Sequence, residues 1–464
     1  MRHFETHNIH VLNHSNGYTV YNSENGKIAL IKKEVIKQEL FKGSNEETKM
    51  ITNKLKDQDF FTSDKKIDSF KSELPLKMKY EQLYLIVSDG CNMSCKYCRQ
   101  GKNLNYKNMT FGEIEEAVES FFEVGKNLKS VVFYGGEPLL NADGVFHAIE
   151  YIRNRTKHDD FEVDFSLITN GTLVDMEMAK RLAKYKVSVI VSIDGPEKNN
   201  DQARVSKDGL GTYKRSLKGF QYLKVAGCCV GTNSTIGPHN QNDFDDLVKW
   251  LVDIRPNTVG FALPHGSKEN YAMGIDFGKM YDHIIDSFEF LSFHGISQIH
   301  VERKLKDVIA NNVNSFECRA SQNRVVACPE GKYGVCEGAV TNDSMFFDSI
   351  NEIHKTAYEY QKTSPLNLDD CRNCIAIRIC GGGCPYDKLM RYGRIDCVDP
   401  FKCGFIQRVM KYSLKYINER MITDSSTSIE MLTDDKRKEL LQGLNFSKEG
   451  FVPLDYNCDA RVDK

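Results

Sequence analysis

Hydrophobic and polar residues follow two different periods along the chain. Between about residue 80 and residue 300, six apolar, β-rich runs stand in series: LYLIVS, SVVFYGG, FEVDFSLITNG, VSVIVSIDG, CCVGTNSTI and TVGFALP. Segments with apolar residues at helical spacing, such as TFGEIEEAVESFFEVG, lie between them. Six strand–helix units in series predict an α/β fold whose parallel sheet curls toward a partial barrel, with chemistry on the loops that follow the strands.

The regions on either side of this barrel, residues 79–300, have other patterns. Residues 1–78 show three short strands, NIHVLNH, YTVYNS and GKIALIKK, and then two helical stretches, KEVIKQELF and NEETKMITNKLKDQDFF, which predict a small separate α+β unit. From 301 to 423, cysteines, glycines and turns replace the periodicity until a closing amphipathic helix, PFKCGFIQRVMKYSLKYINERM. That pattern is typical of a domain organised by metal. Residues 424–464 form a polar tail.

Composition excludes several classes of partner. The balance of 62 Lys and Arg against 64 Asp and Glu indicates neither nucleic acid nor a membrane surface. The longest apolar runs have the length of strands, and the first residues lack the apolar core of a signal peptide, so we expect a cytoplasmic chain without a membrane span. In that reducing compartment the 15 cysteines are not expected to form disulfides. Nine of them crowd between Cys318 and Cys403, which indicates metal ligands.

Three cysteines follow the first barrel strand at the spacing C-x3-C-x2-C: Cys91, Cys95 and Cys98. A closed zinc or iron–sulfur site takes four ligands, so either a distant residue supplies the fourth, as in a structural zinc loop, or one metal position stays open. The motif resembles the signature of the radical S-adenosylmethionine (SAM) enzymes. That resemblance implies a 4Fe–4S cluster whose open iron binds SAM, so that one electron breaks a C–S bond and yields a 5′-deoxyadenosyl radical. Tyr97 stands where the family has an aromatic residue over the cluster.

Further strand ends resemble the SAM contacts of a partial (β/α)6 radical SAM barrel. YGGEP, after the second strand, resembles the GGEP motif that receives the methionine amino group, with Glu137 as an acceptor. ITNGT, SIDG and DQARVSKDGLGTY resemble contacts to the ribose and the carboxylate, although Asn200 stands where many relatives have a histidine. The cofactor-binding residues that the resemblance implies are Gly135, Gly136, Glu137, Pro138, Thr169, Asn170, Ser192, Asp194 and Arg204.

The third region carries a second cysteine pattern, Cys318-x12-Gly331-x4-Cys336, then Cys371-x2-Cys374-x5-Cys380-x3-Cys384, then Cys403. It resembles the seven-cysteine SPASM domain, whose members hold two auxiliary 4Fe–4S clusters, and so implies three clusters in all. The resemblance assigns an outer site to Cys371, Cys374, Cys380 and Cys403. It assigns an inner site to Cys318, Cys336 and Cys384. The alternative is a zinc ribbon on Cys371, Cys374, Cys380 and Cys384.

Three residues extend this assignment. Cys328 lies inside the first half of the pattern, and we expect it to complete the inner site; without it that cluster keeps an open iron to which a substrate thiolate could bind. Cys397 could replace Cys403, although its spacing fits less well. Glu337 directly follows a cysteine where sulfatase-maturing relatives place a proton acceptor, so it is the candidate catalytic base; the alternative is a solvated surface Glu.

Enzymes with this combination mostly modify peptides or proteins, and the N-terminal unit resembles the leader-binding domain of maturases of ribosomally made peptides. The resemblance predicts a maturase that installs a cross-link, a Cys thioether as in sactipeptides and ranthipeptides, in a precursor peptide whose leader adds to the edge strand GKIALIKK. A flavodoxin- or ferredoxin-like reductant would supply the electron. The alternatives are a carbon–carbon cross-linking maturase, a sulfatase-type enzyme that makes formylglycine, and a non-catalytic iron–sulfur electron carrier.

Overall fold

The computed structural model describes residues 8–33, 46–62, 67, 73–98, 106–263, 274–422 and 429–444. Within these ranges the strands form one sheet of nine strands and one of four. The first predicted helix, apart from Lys33, and Cys458 lie outside the described residues. None of the helices in the described ranges is both long enough and apolar enough to cross a bilayer.

The small sheet begins with the three predicted N-terminal strands, followed along the chain by a helix: β1 (Ile9–Asn13), β2 (Gly17–Asn22), β3 (Ile28–Lys32) and α1 (Glu46–Asp57). Because successive residues of a strand face opposite sides, Ala29 and Ile31 pack in a small core with α1, while Ile28 and Leu30 join the main core of the chain. One face of this sheet therefore packs onto the rest of the protein.

The large sheet contains the six predicted barrel strands in chain order and parallel to one another, which confirms the partial barrel. They are β4 (Gln82–Ser88), β5 (Ser130–Gly135), β6 (Asp164–Thr169), β7 (Ser188–Ser192), β8 (Val230–Thr235) and β9 (Thr258–Ala262). The helices among and after them are α2 (Phe111–Val124), α3 (Ala142–Arg155), α4 (Met176–Lys184), α5 (Glu197–Ala203), α6 (Tyr213–Val225), α7 (Phe244–Ile254) and α8 (Phe277–Phe293).

Helix α2 shows how local sequence fixes these elements. The Thr110 side chain accepts a hydrogen bond from Glu113 N (3.2 Å), and the Glu113 carboxylate accepts one from Thr110 N (2.7 Å), so the first turn is closed by a capping box. Ile114, Val118 and Phe121 are buried at helical spacing. The predicted amphipathic helix is confirmed.

Three strands that the pattern did not predict extend the large sheet: β10 (Ser297–Gln298), β11 (Arg324–Cys328) and β12 (Lys332–Gly334). β11 pairs in parallel with β4, with Arg324 opposite Gln82, so the cysteine-rich region lies beside the first barrel strand. The remaining helices are α9 (Ile299–Ile309), α10 (His354–Gln361), α11 (Ile377–Cys380), α12 (Pro385–Tyr392), α13 (Pro400–Met421) and α14 (Asp434–Gly443).

The tail supplies the fourth strand of the small sheet, β13 (Ile429–Met431), which pairs antiparallel with β3. The prediction that GKIALIKK is a free edge is therefore wrong, because its partner comes from the far end of the sequence, where no local pattern reveals it. The buried Arg437 of α14 ties this tail to the core, since Nη1 donates to Ile309 O (2.6 Å) and Nη2 to Gly26 O (3.3 Å).

Candidate active site

The loop after β4, called here the three-thiol loop, carries Cys91, Cys95 and Cys98. All three thiols line one cavity of about 480 Å³. The loop is held in place by Ser94 N, which donates to Val205 O (2.8 Å). Burial raises the pKa of Cys91 to about 11, and the neighbouring thiols of Cys95 and Cys98 act in the same direction. Thiols that resist ionisation together are stabilised as thiolates when a metal displaces their protons.

Glycines are required where β5 meets this loop. Gly136 N donates to Ser88 O (3.0 Å), and a Cβ on Gly135 would lie 2.0 Å from the same oxygen. A Cβ on Gly136 would lie 2.1 Å from Gly90 O. Because glycine has no Cβ, the YGGEP turn can lie directly against the three-thiol loop. Both glycines line the cavity.

The Glu137 carboxylate faces the protein and does not line the cavity. It is fully buried and accepts hydrogen bonds from Thr169 Oγ1 (2.7 Å), Asn170 N (2.7 Å) and Leu139 N (3.1 Å). Burial raises its pKa, and these hydrogen bonds oppose the rise. In this structure Glu137 ties the end of β6 to the end of β5, and Pro138 begins the short turn behind it. The role of Glu137 as an acceptor for the methionine ammonium group stays a prediction.

Tyr97 belongs to a buried polar network. Its hydroxyl donates to Asp194 Oδ2 (2.6 Å) and accepts from Arg204 Nη1 (2.6 Å). His239 Nε2 lies 3.1 Å from the same Asp194 oxygen, and the His239 ring stacks on Tyr97 with centroids 5.8 Å apart. Tyr97, Arg204 and Ser192 line the cavity, whereas Asp194 is fully buried behind them. Asp194 therefore positions Tyr97 and Arg204 and makes no contact with the cavity.

The cavity fits the cofactor that the three-thiol loop implies. Arg204 Nε is buried and has no hydrogen-bond partner in the described part of the chain, so it is a donor for a carboxylate. Thr169, Asn170 and Ser192 line the cavity at the ends of β6 and β7, as the strand-end motifs predict. These residues would hold SAM beside a cluster bound to Cys91, Cys95 and Cys98.

Two more thiols, Cys318 and Cys384, line the same cavity. Burial raises the pKa of both, and the Cys336 thiol acts on both in the same direction, so the three are neighbours. Cys328 stands apart: it ends β11, and its pKa is raised by burial and by Asp89 of the three-thiol loop. The structure thus brings together three of the four thiols expected at the inner site.

The four thiols predicted for the outer site are also neighbours. Burial raises the pKa of Cys371 to about 12, and Cys380, Cys374 and Cys403 act in the same direction. Gln407 Nε2 donates to Cys403 Sγ (3.3 Å) and to Cys374 Sγ (3.8 Å). Among the residues described, no three Cys, His, Asp or Glu side chains form a group that could hold a single metal ion. A 4Fe–4S cluster does not require its ligands to converge on one ion, because each thiolate binds a different iron.

Glu337, the candidate base, lines the cavity and forms an ion pair with the buried guanidinium of Arg324. Arg324 Nε also donates to Gln82 Oε1 (3.0 Å) at the start of β4. The carboxylate of Glu337 is therefore held in the cavity wall and is not a solvated surface group.

Sequence reasoning missed a second carboxylate of the cavity, Glu317. Lys304 Nζ and Arg303 Nη2 each lie 2.5 Å from one of its oxygens. Burial acts to raise the pKa of Glu317, but Arg303, Lys304 and Lys402 together hold it well below its usual range. The sequence offered one signal for each missed residue. Glu317 directly precedes a predicted ligand cysteine, and His239 lies just after β8.

Comparison with known proteins agrees with this geometry. Residues 85–251 match the model of the Radical SAM superfamily. The radical SAM cyclopropyl synthase TigE of Paramaledivibacter caminithermalis is 24% identical over 357 residues, which are 71% of this chain and 73% of that protein. The cysteine-type anaerobic sulfatase-maturating enzyme of Clostridium perfringens is 26% identical over 326 residues, 64% of this chain and 86% of that protein. Streptococcus suis SuiB bound to precursor peptide SuiA matches with a TM-score of 0.52 at 14% identity, covering 85% of this chain and 98% of SuiB.

Proposed function

We propose that this chain, whose residues 85–251 match the Radical SAM superfamily, is a radical SAM enzyme that matures a ribosomally made peptide by joining a cysteine sulfur to a carbon of that peptide. The observation that carries the proposal is the shared cavity, which is lined both by the three-thiol loop and by two thiols of the inner site. When bound, SAM and the first cluster supply the radical that takes a hydrogen atom from the substrate. The peptide is the substrate class that SuiB, a fold relative, binds.

The inner site supports sulfur as one of the two joined atoms. Cys318, Cys336 and Cys384 are neighbours and Cys328 stands apart, so a cluster held there keeps one iron without a protein thiolate. Since Cys318 and Cys384 line the cavity, a substrate thiolate would reach that iron from inside it. Forming the thioether would take a hydrogen atom from the carbon, a proton from the sulfur and one electron, and a cluster held by the inner thiols would be placed to accept that electron.

A carbon–carbon cross-link is the second candidate. Its support is the similarity to a radical SAM cyclopropyl synthase, whose name describes a three-carbon ring. Formylglycine formation, the third alternative, corresponds to the similarity to a cysteine-type sulfatase-maturating enzyme. The three reactions leave the substrate cysteine in different states.

Mass spectrometry of a candidate precursor peptide, a short cysteine-containing open reading frame sought beside this gene, separates these candidates. After incubation with reconstituted enzyme, SAM and reductant, a thioether gives a mass loss of two hydrogens and a cysteine that iodoacetamide no longer labels. The same mass loss with a labelled cysteine would favour the carbon–carbon bond, and a new aldehyde would favour formylglycine. Cys95→Ala is the inactive control, and Cys229→Ala, whose thiol follows α6 outside the cavity, is the matched active control.

We further propose that the leader binds the outer edge of β1, because β13 covers the edge of β3. Asn8 O accepts from Ser23 N (2.9 Å) and His14 N donates to Gly17 O (2.8 Å), so Asn8 and His14 face β2. Backbone groups alternate along an antiparallel strand, so those of Val11 point away from β2, where the described residues supply no strand partner. A leader added there would gain main-chain hydrogen bonds and hold its core peptide near the cavity.

Val11→Pro tests this edge, because proline removes an outward N–H and is tolerated on an edge strand. Val11→Thr keeps the N–H and is the matched control. We expect Val11→Pro to cleave SAM normally and to modify a leaderless core peptide as the wild type does, while losing the stimulation by the leader. Equal stimulation of both variants by the leader would contradict the β1 edge as its binding site.

A further inference from the structure

Lys388 is a buried lysine that forms no ion pair with a carboxylate of the described residues. It lies on α12, is 1% exposed, and its Nζ donates to Thr363 Oγ1 (2.6 Å). Across the described residues, no carboxylate forms an ion pair with it. The nearby carboxylate of Asp399 is occupied by Arg391, whose Nη1 lies 3.0 and 2.9 Å from its two oxygens.

Lys304, a second lysine buried to the same degree among the described residues, has a carboxylate partner. Lys304 is also 1% exposed, and its Nζ lies 2.5 Å from Glu317 Oε2. Burying an ammonium group without a counter-charge costs several kcal/mol, so an unpaired buried lysine calls for an anion that the protein's carboxylates do not supply.

Three thiols and one carboxylate lie near Lys388. Burial lowers the pKa of Lys388, while Cys397, Cys380, Asp399 and Cys371 act to raise it. Two of these, Cys371 and Cys380, belong to the outer four-thiol site. Lys388 in turn acts to lower the pKa of Cys371.

Thr363 joins Lys388 to the loop between Cys380 and Cys384. Thr363 Oγ1 donates to Gly382 O (3.2 Å), and a Cβ on Gly382 would lie 1.9 Å from Thr363 O. Gly382 has φ +81°, a conformation that glycine adopts without strain. The glycine loop and the hydroxyl therefore fix the ammonium group beside the outer thiols.

We propose that Lys388 is the buried counter-charge of the outer four-thiol site and raises the reduction potential of the iron–sulfur cluster held there. A fixed cation favours the more negative, reduced form of a cluster, and charge near the cluster is one of the determinants of its potential. This inference rests on the proposed outer cluster. It makes that cluster a better acceptor for the electron released when the cross-link forms.

The test is a redox titration of the full-length, cluster-loaded protein followed by electron paramagnetic resonance. The outer-cluster signal is the one that Cys371→Ala removes; if no signal depends on Cys371, the proposed outer cluster itself fails. We expect Lys388→Met to shift the midpoint of this signal to a more negative potential, with Lys388→Arg and the exposed Lys411→Met close to wild type. A Lys388→Met protein with full iron content and an unchanged midpoint would overturn the inference.

Two further measurements cover the other outcomes. If Lys388→Met loses the outer irons, their recovery in Lys388→Arg supports the role of the charge, and their loss in both variants overturns it. Cys397→Ser removes the remaining thiol near Lys388 and should leave the midpoint unchanged. A shift as large as that of Lys388→Met would mean that Lys388 acts through Cys397, which also overturns the inference.

Discussion

Replacing Glu137 by Gln tests how the site is built. The carboxylate accepts Thr169 Oγ1 and Leu139 N on one oxygen and Asn170 N on the other. A glutamine keeps only one acceptor oxygen, so in either orientation of its amide one of the two backbone N–H groups faces an NH2 group. The Thr169 hydroxyl can reverse and accept, but a backbone N–H cannot.

One buried donor left without an acceptor costs about 1–3 kcal/mol, so we expect the free energy of unfolding to fall by about that amount. Thr169 and Asn170 line the cavity, and loosening them should also weaken SAM binding by about tenfold, which corresponds to about 1.4 kcal/mol. Urea unfolding and calorimetric titration with SAM measure the two effects on cluster-loaded protein. Hydrogen exchange at the amides of Asn170 and Leu139 reports the lost bonds directly.

The matched control is Glu162→Gln, a substitution at an exposed position. If Glu137→Gln behaves like this control in both assays, the bonds of Glu137 do not support the site. A loss of SAM affinity with unchanged stability and unchanged amide exchange would also refute the reasoning, because it would place the Glu137 carboxylate on the ligand.

The remaining predictions concern metal content and two carboxylates. Anaerobically reconstituted protein should hold about twelve irons, of which Cys371→Ala should remove about four and Cys328→Ala none; stoichiometric zinc in place of the auxiliary iron would contradict the assignment. Glu337→Gln should keep SAM cleavage while slowing product formation roughly 10²-fold, the scale of a lost general base, and unchanged turnover would exclude that role. Glu317→Gln should lower the free energy of unfolding at neutral pH by about 3–5 kcal/mol, because Lys304 loses its buried partner; urea unfolding at the wild-type midpoint would contradict this.

The barrel was predictable because its information is local. Each strand is marked by an apolar run, and each helix by its helical periodicity and its capping residues. The alternation of strands and helices then predicts a parallel sheet. The pairing of β11 with β4 and of β13 with β3 joins segments far apart in sequence, and no local pattern contains it. For that reason the prediction that GKIALIKK is a free edge strand was wrong.

The thiol groups were largely predictable, since cysteine spacing is a strong signal. The outer four thiols and three of the inner four lie near one another, while β11 places Cys328 on the side of the three-thiol loop. Which of these thiols bind iron stays a prediction. The direction of a side chain is harder to infer. Glu137 and Asp194 sit at the expected strand ends, yet both point away from the cavity and act on the residues that line it.

Buried charge without a motif was not predictable. Glu317 and Lys388 belong to no sequence signature, because the groups near them are brought together by the fold. Three cations surround Glu317, and thiols lie near Lys388. Burial is what gives such groups large effects, and burial is a property of the packed chain.

The central claim, that this enzyme takes hydrogen from a peptide, is tested most directly by following that hydrogen. The precursor peptide is prepared with deuterium on its carbon atoms and incubated with reconstituted enzyme, SAM and reductant. We predict that the 5′-deoxyadenosine produced carries deuterium and that the peptide loses one deuterium from carbon and one hydrogen from sulfur. Modified peptide accompanied by unlabelled 5′-deoxyadenosine, or 5′-deoxyadenosine formed at the same rate with no change in the peptide, would contradict the account.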